Sequence, residues 1–398
     1  MAKPIMISDL LIFALLLIIF FTSSSSAIPV TFNVADLRAR PDGTTDSTQA
    51  FLGAWARARS STLAATIYVP LGRFLLRNVV FDGKGCKNNN IVVRIDGTLV
   101  APTNYNVIGK VKHWLSFEHV DGVSVLGGVL DGQGTGLWTC KRAGNKGCPN
   151  GATSLGFRNS NNVVINGVTS LNSQLYHIDI DSCNNVKIQG VKVTASGDSP
   201  NTDGIHVQSD GVTILNSIIA TGDDCISIGP GTTNLWIENV VCGPGHGISV
   251  GSLGKELQEP GVENVTVISA TFRGTENGLR IKSWGRSSNG FARNIVFQHA
   301  LMIDVENPIV IDQNYCPGND NCPGQASGVQ INDVTYQDIH GTSASEVAVK
   351  FDCSSKHPCS GITVEDVKLT YKNQQAESSC RNALGSVSGL VQPALSCL

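Results

Sequence analysis

Six ionisable side chains and one amide stand at separations that a regularly coiled chain would gather into one cluster. Asn201 and Asp203 lie two apart, and Asp223 and Asp224 follow in Gly222-Asp223-Asp224-Cys225. His246 sits between Gly245 and Gly247, and Arg280 and Lys282 flank Ile281. In stacked parallel strands, residues one coil apart are separated by roughly 4.8 Å and alternate residues share a face. Carboxylates packed that closely cannot all ionise at their ordinary pKa, so one keeps a proton while another acts as a base. Glycosidic hydrolysis needs that division: an acid for the leaving oxygen, and a base for water or a nucleophile. The adjoining Arg280 and Lys282 point to an anionic substrate, because guanidinium and ammonium groups clamp carboxylates through charge-assisted hydrogen bonds. Taken singly, each feature has a plainer reading. Asp203-Gly204 alone is a turn, Gly245-His246-Gly247 a surface loop, and Arg280-Ile281-Lys282 a solvated strand face.

A repeat supplies the coil that this clustering requires. One short phrase of alternating apolar positions, broken by a small or polar hinge, begins at Gly122, Asn162, Asn185, Gly211, Asn234, Asn264, Asn294, Gly328 and Gly361. The shortest interval, as from Asn162 to Asn185, is 23 residues, and longer ones are that unit with loop insertions. Period-two alternation marks strands, and short strands stacked coil on coil form a parallel β-helix. Propeller blades of about 40 residues are too long for these intervals. A jelly roll or immunoglobulin-like sandwich does not predict one phrase nine times. Asn and Gly at the hinges tolerate left-handed backbone, and stacked amides can bond from coil to coil. The expected fold is therefore all-β, a single-stranded parallel β-helix.

Two segments depart from the repeat. Asp46-Ser47-Thr48-Gln49 has the spacing of a capping box, and Phe51, Leu52, Trp55 and Ala56 recur at helical spacing. A short N-terminal helix is predicted there, either capping the open end of the solenoid or packed beside its body. Beyond Asn373 the phrase is lost, which predicts a tail tethered by Cys380 and Cys397.

With 41% hydrophobic and 15% charged residues, the chain is not disordered, and 29 Lys+Arg against 32 Asp+Glu leave no basic excess for nucleic acid. Lys3 precedes an apolar run from Leu10 to Phe21, shorter than the roughly 20 residues of a membrane span. Small Ser25 and Ala27 suit cleavage before Ile28. Residues 1–27 thus read as a secretory signal and 28–398 as one exported, soluble domain with no membrane association. All twelve cysteines follow that signal, several in close pairs: Cys140 with Cys148, Cys316 with Cys322, and Cys353 with Cys359. Without a CxxC spacing, disulfides are the better reading than zinc. Cys225 and Cys242 flank the acidic and histidine loops, and a further disulfide is expected between them. Asn264-Val265-Thr266 is the one glycosylation sequon. Three Met and five Trp suggest no aromatic platform for a sugar.

The blocks Asn201-Thr202-Asp203-Gly204, Gly222-Asp223-Asp224-Cys225, Gly245-His246-Gly247 and Arg280-Ile281-Lys282 resemble, in order and spacing, the signature of the polygalacturonases. These are pectin-hydrolysing glycosidases built on a right-handed parallel β-helix. The resemblance runs from Phe32-Asn33-Val34 and Asp42-Gly43-Thr44-Thr45-Asp46 to Ile311-Asp312-Gln313-Asn314-Tyr315-Cys316 and Gly341-Thr342-Ser343-Ala344, and is closest to plant members. It implies that Asp223 is the general acid, that Asp203 and Asp224 together activate water with inversion, and that His246 tunes the acid. It further implies that Arg280 and Lys282 bind a galacturonate carboxylate, that Asn201 positions the sugar and that Tyr315 lines the cleft. No cofactor and no metal are implied. The substrate would be de-esterified homogalacturonan, and the protein a monomer secreted to the cell wall.

Spacing and resemblance disagree on stereochemistry. Stacked coils put carboxylates near 5 Å, which alone predicts retention, whereas inverting pairs stand about 6.5 to 9.5 Å apart. The resemblance implies inversion. A calcium-dependent lyase on a similar solenoid would need a calcium-binding carboxylate cluster and a basic residue to remove a proton, and the paired Asp223-Asp224 with Asp203 argues against it. A non-catalytic wall-binding solenoid would have lost its acid, yet all three aspartates are present. Cleavage within the polymer is expected, with exo-acting release from its end as the alternative, since loops decide which.

Overall fold

The alternating apolar residues become inward-facing rows of one continuous parallel sheet. The computed structural model describes residues 28–398, and the signal read over 1–27 lies outside them. Strands from Val30–Asn33 to Ala383–Gln392 pair coil on coil in a right-handed parallel β-helix, and only the short return of Thr370 to Gln375 is antiparallel. Ile178, Ile205, Ile226, Ile248, Leu279 and Ile309 stand in register, one per coil, all fully buried. Two positions on, Ile180, Val207, Ile228, Val250, Ile281 and Ile311 form a second buried row. Burying such a side chain is worth roughly 1.5 to 3 kcal/mol, and a one-residue slip would turn both rows outward. Register is thereby fixed. The row between them points away from the core and reads Asp179, His206, Ser227, Ser249, Arg280.

Hinge asparagines behave as their chemistry predicts. Asn162, Asn185, Asn216, Asn234, Asn239 and Asn264 all have left-handed backbone, with φ from 50° to 57°. The Asn185 amide donates to Asn162 at 2.6 Å and that of Asn239 to Asn216 at 2.7 Å. The sequon residue Asn264 is a rung of the same kind, donating to Asn234.

Helix α1 (Thr48–Ser60) forms where the capping spacing placed it. Asp46 accepts from the Thr48 amide at 2.9 Å, but Ser47 turns its hydroxyl to the Arg40 amide and Gln49 faces solvent, so half of the box is made. Phe51, Ala54, Trp55 and Ala58 are buried against the first coils. The Trp55 ring lies 5.4 Å from Phe81, at the head of a stack through Phe117 to Phe157, so the helix caps that end of the core. Helix α2 (Thr135–Arg142), not predicted, fills the long interval after the first phrase. The Cys140–Cys148 disulfide holds it, and its Arg142 pairs with Asp198.

Two expectations are corrected. The segment beyond Asn373 is not a tail: Glu377–Arg381 and Ala383–Gln392 pair in parallel with the coil before and complete a last turn. Its alternation fades because this end faces solvent, with Leu384, Val387 and Leu390 exposed. The cysteine count is also not fully used. Cys140–Cys148, Cys225–Cys242, Cys316–Cys322, Cys353–Cys359 and Cys380–Cys397 pair, while Cys86 and Cys183 are free. Parity gave no hint of this, since Cys183 is a small apolar filler of a coil interior, where burial raises its thiol pKa to about 11. No helix among the described residues is long and apolar enough to cross a membrane.

Candidate active site

The turns carrying the predicted residues continue the ladder of the sheet. Gly204 N donates to Asp224 O at 2.9 Å, and Cys225 N to Gly247 O at 2.7 Å, so the Asp203, Asp224 and His246 turns stack. Two glycines let them approach. A Cβ on Gly222 would lie 2.2 Å from Ser199 O, and one on Gly247, at φ 83°, 2.1 Å from Asn277 O. Cys225–Cys242 ties the acidic turn to the next coil.

Asp203, Asp223, Asp224, Asn201, Lys282 and Tyr315 line one pocket of about 270 Å³. Asp224 is buried at its base. Its Oδ1 accepts from Ser249 Oγ and Arg280 Nη2, each at 2.8 Å, and its Oδ2 from Lys282 Nζ at 2.7 Å. Asp223 is half-buried. Its Oδ1 accepts from the Asp224 amide at 2.8 Å and lies 3.0 Å from His246 Nδ1, and its Oδ2 accepts from Asn201 at 3.4 Å. Arg280 sits behind Asp224, and His246 lines the adjoining recess.

These contacts set the proton inventory. Burial alone would push the Asp224 carboxyl up, but the charges of Lys282 and Arg280 with their hydrogen bonds, and that of Ser249, hold it below the ordinary carboxylate range. Asp203 goes the other way: burial first, then the charges of Asp223 and Asp224, raise it well above that range. Burial opposes the charged form of His246, yet the hydrogen bond to Asp223 and the charges of Asp223, Glu276 and Asp224 outweigh it and raise its pKa. The pocket thus sets a carboxyl held below the ordinary range beside one held above it. Oxygens of Asp223 and Asp224 and a nitrogen of His246 lie within 4.8 Å of one another, a spacing that would suit a cation. Lys282 and Arg280 already supply the positive charge that Asp224 needs.

Arg280 and Lys282, expected to bind a galacturonate carboxylate, both pair with Asp224. The reason is physical, since a buried cation without a counter-charge costs several kcal/mol. Lys282 has three donors, so two remain after Asp224 for a ligand in the pocket it lines. Three aromatic side chains nevertheless lie at or beside the site. Tyr315 lies edge-on to Trp284 at 5.5 Å and under Lys282 Nζ at 5.2 Å, while Tyr176 stacks on His206 at 4.9 Å within the pocket.

Sequence reasoning missed Tyr176, His206, Ser227, Ser249 and Glu276. His206, Ser227 and Ser249 occupy the register position of Arg280 in preceding coils, so aligning the repeats on Arg280 would have found them. Ser249 also accepts from Arg280 Nε at 2.9 Å and so aims that guanidinium.

Residues 60–389 match the glycosyl hydrolases family 28. The chain belongs to this family. It is 68% identical over 373 residues to a polygalacturonase of Prunus persica, covering 94% of both chains. It is 42% identical over 374 residues to an exopolygalacturonase of Platanus acerifolia, covering 92% of this chain and 97% of that one. Among solved structures it resembles the endo-xylogalacturonan hydrolase of Aspergillus tubingensis, with a TM-score of 0.75 at 23% identity over 88% of this chain and 97% of that one. The polygalacturonase of Erwinia carotovora gives 0.69 at 23% identity, over 92% and 98%. The structural likenesses show the fold. The family read from the four sequence blocks is the family these comparisons return.

Proposed function

We propose that this family 28 chain is a secreted, internally cutting polygalacturonase that hydrolyses the α-1,4-galacturonosyl linkages of de-esterified homogalacturonan in the cell wall. The carrying observation is the Lys282–Asp224–Arg280 clamp beside the buried Asp203, whose pKa is raised, and the half-buried Asp223. Asp223, in contact with His246 and Asn201, is the acid that protonates the leaving oxygen. Asp224 and Asp203 hold the attacking water on the opposite face. The free donors of Lys282, beside Tyr315, take the galacturonate carboxylate, and Asn201 positions the sugar.

Internal cutting is supported by recesses on both sides of the site along the solenoid axis. Towards the N-terminus, a recess of about 530 Å³ is lined by Lys112, whose ammonium pairs with Asp181 at 2.8 Å. Towards the C-terminus, one of about 460 Å³ is lined by Asn314, Asp352 and Arg381. In this reading the polymer extends from the site towards both recesses. The exo-acting relatives keep end-wise release as the second reading.

The test is to incubate residues 28–398 with polygalacturonate and follow viscosity against reducing ends. Viscosity falling far ahead of sugar release is expected, and release without that fall means end-wise cutting. Products without the ultraviolet absorbance of unsaturated uronides, formed equally in a chelator, are expected of a hydrolase; absorbing products would mean elimination.

A further inference from the structure

His246 faces a carboxylate at each ring nitrogen. Nδ1 lies 3.0 Å from Asp223 Oδ1, and Nε2 lies 3.2 Å from Glu276 Oε2. An imidazole between two acceptors satisfies both only when both nitrogens carry protons. Glu276 is also anchored to the histidine loop: its amide donates to Gly245 O at 2.8 Å, and the buried Asn277 donates from one amide to His246 O at 3.3 Å and Glu276 Oε1 at 3.4 Å. Behind this contact lies a recess of about 390 Å³ lined by His246, Glu276, Asp304 and Glu306, separate from the sugar pocket. An exposed ion pair elsewhere on the surface would be worth little. This one completes a line from the acid to that recess.

We infer that Glu276 is a positioning residue that fixes the ring of His246 and connects Asp223 to the acid-lined recess, so that the acid is reloaded without passing through the occupied sugar site. This deepens the proposed reading and rests on its assignment of Asp223 as the acid. With Oδ1 accepting from the imidazolium, the acid form of Asp223 carries its proton on Oδ2 and gives it to the leaving oxygen. Nδ1 of the imidazolium then returns a proton to the carboxylate. Nε2 then regains a proton from solvent in the recess, directly or through the Glu276 carboxylate, which takes it up and passes it on. The proton that the base takes from the attacking water leaves to solvent, so each cycle restores the starting charge. The groups facing His246 are Asp223 and Asp224 on the preceding coil, Glu276 on the following one, and Asp304 and Glu306 across the recess.

The test compares the wild type with Glu276→Gln, which keeps an acceptor of the same shape without the charge. In the resting enzyme, the His246 ring, followed by nuclear magnetic resonance, should titrate at lower pH in the variant. On polygalacturonate, kcat should fall roughly tenfold with KM within about twofold, and the alkaline limb of the kcat profile should move to lower pH. An unmoved His246 titration overturns the inference. So does a raised KM at unchanged kcat, which would place Glu276 against the substrate instead. If the wild type leaves polygalacturonate intact, the functional reading fails, while the ring titration still judges the Glu276 contact.

Discussion

Lys282 Nζ stands 2.7 Å from Asp224 Oδ2, with the ammonium and the carboxylate both buried. In the proposed reading this pair joins binding to catalysis, because the cation that would meet the substrate also holds the Asp224 carboxyl below its ordinary range. Lys282→Ala should therefore lower kcat as well as raise KM. It should also destabilise the fold by about 3 kcal/mol, at the low end for breaking a buried pair, since Arg280 remains. Asp224, with its folded-state pKa lowered, contributes stability present above the ordinary carboxylate pKa and lost as pH falls through the lowered value. The gap between wild type and variant in urea unfolding should thus be widest near neutrality and shrink in acid. Equal gaps at pH 7 and pH 3 would sever Lys282 from Asp224.

Asp203 gives the opposite sign. Its raised pKa means that folding loses stability as pH climbs from the ordinary carboxylate range towards the folded value. Asp203→Asn cannot ionise and escapes that loss. The variant should be inactive yet more stable than the wild type at pH 7, by roughly 0.5 to 2 kcal/mol, the range common for one stabilising substitution, and the two should converge in acid. Thermal melts at pH 3 and pH 7 check this, and a variant less stable at both would show that Asp203 is structural.

Much of this was legible because a solenoid turns sequence separation into distance. The period-two phrase fixed the strands, and the intervals between Asp203, Asp224 and His246 put them on stacked turns. What the intervals could not show is partner choice. Arg280 and Lys282 share a row of charge in the sequence, but only side-chain reach and burial decide that both close on Asp224. Glu276 escaped notice because it lies on the turn leading into its strand, outside the alternating phrase, and reaches His246 sideways. Tyr176 and His206 escaped because their types are common on any outer face, and the last coil escaped because its exposed strands have no reason to alternate.

Asp223 touches the imidazole and Asn201 but closes no buried ion pair with either cation. Removing its acidity should therefore leave the scaffold intact. Asp223→Asn is expected to melt within a few degrees of the wild type and to lose at least about a hundredfold in kcat, the lower end of a general acid's contribution. Turnover within tenfold of the wild type would move the acid role elsewhere.

Stereochemistry can be argued from the lone pairs of Asp224. Its Oδ1 is filled by Ser249 and Arg280, and its Oδ2 gives one lone pair to Lys282, which leaves a single acceptor position. A carboxylate held on three sides by donors is a poor nucleophile, because attack on the anomeric carbon would strip the charge that those donors stabilise. It is well placed to accept one hydrogen of a water. Direct displacement by that water inverts the α-linkage, so the first product seen by proton nuclear magnetic resonance, before mutarotation, should be the β-anomer at the new reducing end. An initial α-anomer would mean two displacements through a glycosyl-enzyme, and would overturn the assignment of that last lone pair to water.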